Sequence, residues 1–427
     1  MSKGLLKRFL KGGVKQGRLG VVFADGSAET FGTEAEGYPD IIVRLSDSRV
    51  PRDIILDPRL GAAEAFMDGR LIIEEGDVMG LVTLLRANSR WEKGGLFAPP
   101  STSRKIRNQF EWLADRVNTA LTAKDNVAHH YDIGNDLYAL MLDQEHWQYS
   151  CAYWNTDHFG EHMTLDEAQF AKLAHIAAKL AIQPGNSLLD IGCGWGGMAI
   201  FLAQNYDVYV TGITLSEEQL ELARKRAQDA GVADKVRFEL VDYRDLAERC
   251  RAGEVPFDRI VSVGMFEHVG QPQFQTFFEA CATMLAEDGV MLLHTIGRMA
   301  KPGTTDAFTR KYIFPGGYIP ALSETVIASE KARLIASDIE TLRLHYARTI
   351  RQWYANCLAN KDAIIAMYDE RFFRMWTFYL SGAATVFESG SMCNYQIQYT
   401  RSRHVLPLTR GYIEAEEKRL LTGASKA

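Results

Sequence analysis

The segment that decides the fold is Leu189-Asp190-Ile191-Gly192-Cys193-Gly194-Trp195-Gly196-Gly197. It begins within the apolar run Ser187–Ile191, which is typical of a buried strand, and it leads into an apolar stretch of helical length. Glycines at such a junction let backbone N–H groups approach a ligand at a helix N-terminus, where the helix dipole favours negative charge. The segment therefore predicts a nucleotide-type site at the end of a strand.

The glycine pattern alone fits two kinds of ligand. Gly192, Gly194 and Gly197 match the GxGxxG spacing of dinucleotide-binding folds. Glu217 also lies near the distance at which such folds place a ribose-binding acid.

Three features favour S-adenosylmethionine over a dinucleotide. Asp190 ends the first strand, where a carboxylate can face a cationic methionine moiety. The second strand ends in Thr214-Leu215-Ser216 rather than in an acid, and Glu217 falls inside a helix. The third strand ends in Asp242-Tyr243, a carboxylate and a ring suited to adenine.

From about residue 165 the sequence alternates between helical and strand patterns. The predicted strands are Ser187–Ile191, Asp207–Ile213, Val236–Val241, Arg259–Val263 and Val290–Thr295, followed by a late strand at Tyr395–Thr400. Alternating strands and helices imply right-handed crossovers and a parallel sheet that is covered on both faces. We expect an α/β fold with a doubly wound, Rossmann-like sheet and, over residues 300–390, a largely helical insertion.

The first hundred residues predict a smaller α+β domain. Val21–Phe23 and Thr30–Phe31 flank the hairpin turn signal Asp25-Gly26, and residues 60–90 have a helical pattern. The breaker cluster Gly94–Ser101 is the best domain boundary. We therefore divide the chain into an N-terminal domain (1–100), a linker and helix (101–125) and a catalytic domain (126–427).

Charge is distributed unevenly along the 427 residues. The net charge is −6, which gives no general case for nucleic-acid binding. Six basic residues precede the first acid, Asp25: Lys3, Lys7, Arg8, Lys11, Lys15 and Arg18. Apolar residues fall among them at roughly helical spacing: Leu5, Leu6, Phe9, Leu10 and Val14. This segment is either an amphipathic helix on an anionic membrane surface or a soluble basic terminus.

The remaining composition indicates a cytoplasmic protein. No uncharged apolar run approaches the roughly 18 residues needed to span a membrane, and the N-terminus lacks the apolar core of a secretory signal. The six cysteines form no CxxC pair, which indicates a reduced compartment. The HxxEH match at His158–His162 lies among turn signals, so we predict no metal site.

Seven longer sequence motifs resemble those of the cyclopropane-fatty-acid synthase family, which includes the mycolic acid cyclopropane synthases. They are Asn126–Tyr138 (NVAHHYDIGNDLY), Gln148–Trp154 (QYSCAYW), Leu189–Gly197 (LDIGCGWGG), Gly212–Gln219 (GITLSEEQ), Val263–Gly270 (VGMFEHVG), Leu292–Gly297 (LLHTIG) and Lys311–Pro315 (KYIFP). The resemblance implies methylene transfer from S-adenosylmethionine to the cis double bond of an unsaturated acyl chain, usually in a membrane phospholipid. A carbocation would form and lose a proton to a bound bicarbonate.

The resemblance also implies that the doubly wound sheet is a Rossmann-like methyltransferase sheet with a helical lid insertion, and it implies a set of site residues. The bicarbonate ligands would be Glu267, His294, Tyr346 and the backbone at Cys151 and Ile296. His268 is the alternative to His294 as the partner of Glu267. The cofactor-binding residues would be Tyr149, Ser150, Asp190, Gly192, Gly194, Gly196, Thr214, Gln219, Asp242 and Tyr243.

Three points stay open at this stage. Ala383 stands where many synthases carry a cysteine, which leaves the product in question. A methyl-branched fatty acid or an N-methylated amine is the alternative product, and a non-catalytic lipid- or S-adenosylmethionine-binding protein is the alternative class. The predicted partners are an unsaturated phospholipid and a peripheral membrane surface, with a homodimer as an open question and no nucleic acid.

Overall fold

The computed structural model describes residues 2–95 and 134–424. The predicted linker and the motif residues 126–133 lie outside this range. The strands are β1 (Arg18–Val22), β2 (Ala28–Phe31), β3 (Asp40–Leu45), β4 (Leu71–Glu75), β5 (Ser187–Ile191), β6 (Tyr209–Thr214), β7 (Val236–Leu240), β8 (Phe257–Val263), β9 (Leu285–Arg298), β10 (Ile335–Leu342) and β11 (Met392–Thr400).

The helices of the described residues follow in chain order. They are α1 (Ser2–Gly13), α2 (Val50–Leu56), α3 (Pro58–Met67), α4 (Val78–Ala87), α5 (Asn135–Met141), α6 (Thr156–Phe159), α7 (Leu165–Leu180), α8 (Gly197–Asn205), α9 (Glu217–Asp229), α10 (Tyr243–Arg251), α11 (Phe274–Met284), α12 (Ala307–Tyr312), α13 (Leu322–Lys331), α14 (His345–Ala359), α15 (Lys361–Met367), α16 (Glu370–Glu388) and α17 (Gly411–Ala424). Short 3₁₀ turns lie at Trp91–Lys93, Phe266–His268 and Gln271–Gln273.

One compact unit is built on a four-stranded sheet of order β2-β1-β3-β4. It combines the described residues up to 95 with Thr305–Pro315 and Ala347–Met392. The predicted hairpin is present, because β1 and β2 pair antiparallel and Gly26 adopts a φ of 79° in the turn. Leu6 and Leu10 of α1 pack into the core of this sheet.

Part of the helical insertion belongs to this first unit. The ring centroids of Phe66 on α3 and Phe378 on α16 lie 6.0 Å apart. The hydroxyl of Tyr354 donates to a carboxylate oxygen of Asp77 at 2.9 Å. The insertion therefore supplies helices that pack against α3 and α4 of the first unit, which periodicity alone did not indicate.

The second unit contains a seven-stranded sheet of order β10-β11-β9-β8-β5-β6-β7. The β5–β6, β6–β7, β5–β8 and β8–β9 pairs are parallel, and β10 pairs antiparallel with β11. The predicted α/β class and its parallel strands are confirmed, and β5 has the predicted bounds. The largely helical insertion also contains one strand that the sequence pattern did not indicate: β10, an edge strand that pairs antiparallel with β11.

Helix α7 covers the sheet of the second unit and is unusually polar for a buried helix. Its N-terminus carries the predicted capping box, in which Glu167 N–H donates to the Thr164 hydroxyl at 3.2 Å and Thr164 N–H donates to the Glu167 carboxylate at 2.7 Å. Gln169, Lys172 and Lys179 on this helix are fully buried. Buried polar groups require hydrogen-bond partners, so the side chains of this helix hold the neighbouring segments in fixed positions.

None of the helices within residues 2–95 and 134–424 combines the length and the apolar character that crossing a bilayer requires.

Candidate active site

A cleft opens at the carboxyl edge of the parallel strands of the second unit. Its wall comes from the loop between α5 and α6, from the ends of β5, β6 and β8, and from the segment after β7. The lining residues are Trp147, Gln148, Tyr149, Ser150, Asp190, Ile191, Gly192, Cys193, Gly194, Trp195, Met198, Ile213, Thr214, Leu215, Gln219, Val241, Asp242, Tyr243, Arg244, Val263, Gly264, Met265, His268 and Val269. Doubly wound sheets place ligands at this edge.

Nearly all of the residues predicted to bind the cofactor line this cleft. Tyr149, Ser150, Asp190, Gly192, Gly194, Thr214, Gln219, Asp242 and Tyr243 are among its walls. Gly196 does not line it: this residue caps α8 with a φ of 80°, and a Cβ there would meet the ring of Phe238 at 2.6 Å. Gly196 therefore permits the close approach of helix and strand rather than contact with a ligand.

The loop at Gln148–Cys151 is held by two buried side chains of α7. The Gln169 amide donates to the carbonyl oxygens of Gln148 and Ser150 at 3.1 and 3.0 Å. The ammonium of Lys172 donates to the Ser150 hydroxyl at 3.1 Å and to the Gln148 side-chain oxygen. Helix α7 thus fixes the wall of the cleft that carries Tyr149.

Two buried polar atoms of the cleft are left for a ligand. Asp190 Oδ2 and Gln219 Nε2 have no hydrogen-bond partner among the described residues. Gln219 Oε1 already accepts from the Thr214 hydroxyl at 2.9 Å, so the amide nitrogen of Gln219 is the free end. An unmet acceptor and an unmet donor in one cleft fit a ligand that has both cationic and hydroxyl groups, as S-adenosylmethionine does.

Burial also sets the protonation of the cleft. Burial raises the pKa of Asp190 to about 7, while the positive charge of Lys172 acts in the opposite direction and lowers it. Burial lowers the pKa of Lys172 to about 8, while Asp143, Cys151 and Asp190 oppose that shift. A cationic ligand placed against Asp190 would favour its carboxylate form.

The end of β7 presents an oriented carboxylate and a buried ring. Both oxygens of Asp242 accept from the Arg244 guanidinium, at 2.8 and 2.7 Å, and Asp242 also caps α10 through the Arg244 N–H. The Tyr243 ring packs edge-on against Phe277, with centroids 5.4 Å apart. Arg244 lines the cleft as well, although sequence reasoning had not included it.

A second group of predicted residues lies beside the cleft rather than in its walls. Glu267 Oε1 accepts from the backbone N–H of Ile296 at 2.6 Å, which joins the 3₁₀ turn after β8 to the end of β9. Glu267 Oε2 is buried and has no hydrogen-bond partner among the described residues. Burial raises the pKa of Glu267 to about 7, so the group can carry a proton near neutral pH.

His294 and Cys151 are also buried at this end of the sheet. His294 lies on β9, with its ring between the side chains of Asn394 and Gln396 on β11. Cys151 is coupled electrostatically to Cys393, whose thiol lies 3.7 Å from the carbonyl oxygen of Gly297. The chain thus brings Cys151 near the β9 segment that carries Ile296.

Tyr346 is buried next to the same loop. Trp154 donates its backbone N–H to His345 Nδ1 at 2.9 Å and its indole N–H to the His345 carbonyl at 3.0 Å. These bonds place the residue before Tyr346 against the segment that follows Cys151. The alternative residue, His268, lines the cleft, and burial lowers its pKa to about 4, which keeps its imidazole neutral.

The described residues contain no cluster of histidine, cysteine and carboxylate side chains that could hold a metal ion.

Comparison with known proteins adds to this geometry. The family described as Mycolic acid cyclopropane synthetase matches residues 119–397. The chain belongs to this family. It is 36% identical to "Cyclopropane-fatty-acyl-phospholipid synthase" of Escherichia coli (strain K12) over 370 residues, which cover 87% of this chain and 90% of the relative.

Two further similarities bear on the site. The chain is 40% identical to "Probable fatty acid methyltransferase" of Pseudomonas putida over 305 residues, which cover 69% of this chain and 75% of the relative. The structure of mycolic acid cyclopropane synthase CmaA1 complexed with SAH and CTAB matches with a TM-score of 0.58 and 34% identity, covering 65% of this chain and 97% of that one. The predicted S-adenosylmethionine-dependent methyltransferase class is confirmed.

Gly194→Ala tests the cofactor role of the glycine segment. Gly194 adopts a φ of 54°, and an added Cβ would meet no described atom within 4 Å, so the methyl group would occupy open space at the cleft wall. We expect the dissociation constant for S-adenosylmethionine to rise at least about tenfold by calorimetry, with the fold retained, because backbone contact with the ligand is blocked.

Gly231→Ala is the matched control. Gly231 has a φ of 70°, an added Cβ there also meets no described atom within 4 Å, and it does not line the cleft. Both variants carry a similar backbone strain of about 1 kcal/mol. Equal affinities in the two variants would contradict the assignment.

Asp190→Asn tests the charge of the cleft. Because the pKa of Asp190 is about 7, ligand binding below that pH must displace a proton. We expect the wild-type affinity for S-adenosylmethionine to fall by up to about tenfold per pH unit below 7. In Asp190→Asn the affinity should be weaker and nearly independent of pH in calorimetry at pH 6 to 8.

The same variant should be more stable. A carboxyl group whose pKa rises on folding opposes folding once it ionises, so its penalty grows between about pH 4 and pH 7 and is complete above that. Asparagine removes the penalty, and urea denaturation at pH 8 should show a gain of about 1–3 kcal/mol. For the binding prediction, the contradicting result is a pH dependence of S-adenosylmethionine affinity that is the same in Asp190→Asn as in the wild type. The titrating group would then be one other than Asp190.

Proposed function

We propose that this protein transfers a methylene group from S-adenosylmethionine to the cis double bond of an unsaturated acyl chain of a membrane phospholipid, and so forms a cyclopropane fatty acid. The observation that carries the proposal is the buried Glu267–Ile296 pair beside the cleft, with Glu267 Oε2 left for a ligand. The family membership and the relative named "Cyclopropane-fatty-acyl-phospholipid synthase" support the substrate class.

The cofactor site would hold S-adenosylmethionine through two groups of residues. Asp190 would face its cationic methionine moiety, with Tyr149 and Ser150 on the opposite loop. Gln219, oriented by Thr214, would donate to the ribose. The Asp242–Tyr243 pair would hold the adenine. When bound, the cofactor supplies an electrophilic methyl group.

Bicarbonate is the second group that the site would hold. Glu267 with its raised pKa can donate a proton in a hydrogen bond to an anion through Oε2, and Tyr346 has a hydroxyl donor. The Ile296 N–H already donates to Glu267, so in this geometry it acts through that side chain. A bound bicarbonate would supply the base that removes a proton from the transferred carbon.

Exclusion of water is the remaining requirement. An alkene is a weak nucleophile, and a carbocation on the acyl chain would react with water. Cys151, Glu267 and His294 are each at most 7% exposed, which fits a dry site. Fixed negative charge near the reacting carbon would stabilise the cation.

An acyl chain also needs an apolar surface. The first unit contains a group of contacting aromatic rings on α3, α12 and α16. The ring of Phe378 lies 5.3 Å from that of Phe308 and 6.0 Å from that of Phe66. We propose that this aromatic surface of the first unit binds hydrocarbon of the acyl chain.

Deuterium-labelled cofactor tests the reaction. With S-adenosylmethionine that carries a CD₃ group and vesicles of an unsaturated phospholipid, ring closure should leave two deuterium atoms on the product carbon, because one is lost to the base. Mass spectrometry of the released fatty acids measures this. Retention of all three deuterium atoms would instead show a methyl branch, the product class that the relative named "Probable fatty acid methyltransferase" keeps open.

Glu267→Gln is the control that separates chemistry from binding. The amide keeps the size of the side chain but cannot exchange a proton with an anion. We expect the cofactor affinity to stay near the wild-type value while turnover falls at least about tenfold. Equal losses of affinity and turnover would place Glu267 in the cofactor site instead.

We further propose that α1 docks the protein on an anionic membrane surface. Leu6, Leu10 and Val14 are buried in the core of the first unit, so they do not enter a membrane. Leu5 and Phe9 are 44% and 37% exposed. Basic side chains on α1 also support docking. Arg8 and Lys11 form no ion pair within the part of the chain that the structure describes, so their charges are available to an anionic surface. Lys3 and Lys7 instead pair with Asp25 and Glu29.

A Leu5→Ser/Phe9→Ser variant tests this docking. We expect the affinity of the double variant for anionic vesicles, measured by co-sedimentation, to fall at least about tenfold. High salt should weaken binding of the wild type as well, since each basic residue contributes about 1 kcal/mol near an anionic surface and salt screens that attraction. Leu56→Ser removes a residue that is 55% exposed on α2 and is the matched control. If the double variant sediments like the wild type, α1 is not the docking element.

A further inference from the structure

The ring of His294 is held by two amide side chains of β11. The Gln396 amide nitrogen lies 3.1 Å from His294 Nδ1, and the Asn394 amide nitrogen lies 3.1 Å from His294 Nε2. Asn394 and Gln396 are two residues apart on one strand, so they share a face of the sheet. A neutral imidazole has one donor and one acceptor nitrogen, and the amides must match that order.

Lys179 decides which way the Gln396 amide points. The Lys179 ammonium is fully buried and donates to Gln396 Oε1 at 2.9 Å, and it also donates to the Glu340 carboxylate. An ammonium has three donors and no acceptor. The oxygen of Gln396 must therefore face Lys179, and its NH₂ must face His294 Nδ1.

We infer that Lys179, acting through Gln396, fixes His294 as the tautomer that carries its proton on Nε2. Nδ1 accepts from the Gln396 NH₂, and Nε2 presents an N–H. The Asn394 amide then turns its oxygen toward that N–H and gives up its longer bond, 3.4 Å, to the Tyr395 carbonyl oxygen. Amide oxygen and nitrogen positions are assigned from the hydrogen-bond network.

The opposite tautomer conflicts with the same contacts. A proton on Nδ1 would require Gln396 to turn its NH₂ toward Lys179, which sets two donors against each other in a buried site. A buried polar group without a partner destabilises the fold, so this tautomer is disfavoured. Burial, Lys172, Lys179 and His175 lower the pKa of His294 well below its usual value, and Glu340 opposes them, so the ring is neutral.

The inference gives Lys179 and Gln396 a role in the proposed reaction, on which this part of the argument rests. With Nε2 protonated, His294 has one N–H, which it donates to Asn394; a bound anion would accept that N–H in place of the Asn394 oxygen. Gln396 and Lys179 are then positioning residues, since they act on an anion only through His294.

Nitrogen-15 NMR of the histidine side chains tests the tautomer without any assay of turnover. In full-length protein labelled at histidine, the His294 signals are identified by their loss in His294→Gln. We expect Nδ1 to have the chemical shift of an unprotonated ring nitrogen and Nε2 that of a protonated one. The reverse pattern in the wild type would overturn the inference.

Gln396→Glu should change the ring state, because a carboxylate accepts a hydrogen bond and cannot donate one to Nδ1. We expect Nδ1 to become protonated, with turnover at least about tenfold lower and the S-adenosylmethionine affinity unchanged. Gln398→Glu is the control: Gln398 is buried on the same face and bonds to the Lys179 carbonyl and to the Tyr412 hydroxyl. An unchanged His294 spectrum in Gln396→Glu would contradict the inference.

Added bicarbonate separates this inference from the proposed function. A shift of the Nε2–H signal on addition of bicarbonate and S-adenosylhomocysteine supports both. If the predicted tautomer is present and does not respond to bicarbonate, the tautomer assignment stands and the anion role of His294 fails.

Discussion

The hydrogen bonds between α7 and the Gln148–Cys151 loop are the constraint on which the rest of the site depends. Gln169 holds the backbone of this loop, and Lys172 holds its Gln148 and Ser150 side chains. One end of the loop forms a wall of the cofactor cleft, and the other end is Cys151, next to the β9–β11 region. A single short segment therefore links the place where the cofactor would bind to the place where a base would be held.

The same burial that fixes the loop brings its ionisable groups into the neutral range. The pKa values of Asp190 and Glu267 rise to about 7, and that of Lys172 falls to about 8. Groups poised in this way lower stability, because their charged forms are poorly solvated. In return they exchange protons readily at neutral pH, which suits a reaction that releases a proton in a dry site.

Sequence reasoning predicted the parts of the molecule that follow from local pattern. The apolar run before the glycines gave β5 its bounds, and Thr164 and Glu167 form the predicted capping box. The carboxyl-edge rule placed Asp190 and Asp242 in one cleft. Glu267 and Ile296 were named from family motifs, and their direct hydrogen bond became visible only in the structure.

What the sequence did not show depends on tertiary contacts. Lys172 and Lys179 resemble the solvated face of an amphipathic helix, but both are fully buried by tertiary contacts. Lys172 bonds to the Gln148–Cys151 loop, and Lys179 bonds to side chains of β10 and β11. Leu6 and Leu10 resemble a membrane-binding stripe but fill a core. The edge strand β10 is polar, carries the exposed Ile339 and has no strong alternation of apolar and polar residues. Its pairing partner β11 lies more than 50 residues further along the chain, so no local signal indicates the pairing.

A crystal structure of the full chain with S-adenosylhomocysteine and added bicarbonate tests the central claim most directly. The account predicts S-adenosylhomocysteine in the cleft beside Asp190 and Gln219. It also predicts a planar trigonal anion within hydrogen-bond distance of Glu267 and His294. S-adenosylhomocysteine in that cleft with only water at Glu267, under saturating bicarbonate, would contradict the claim that these buried residues hold the base.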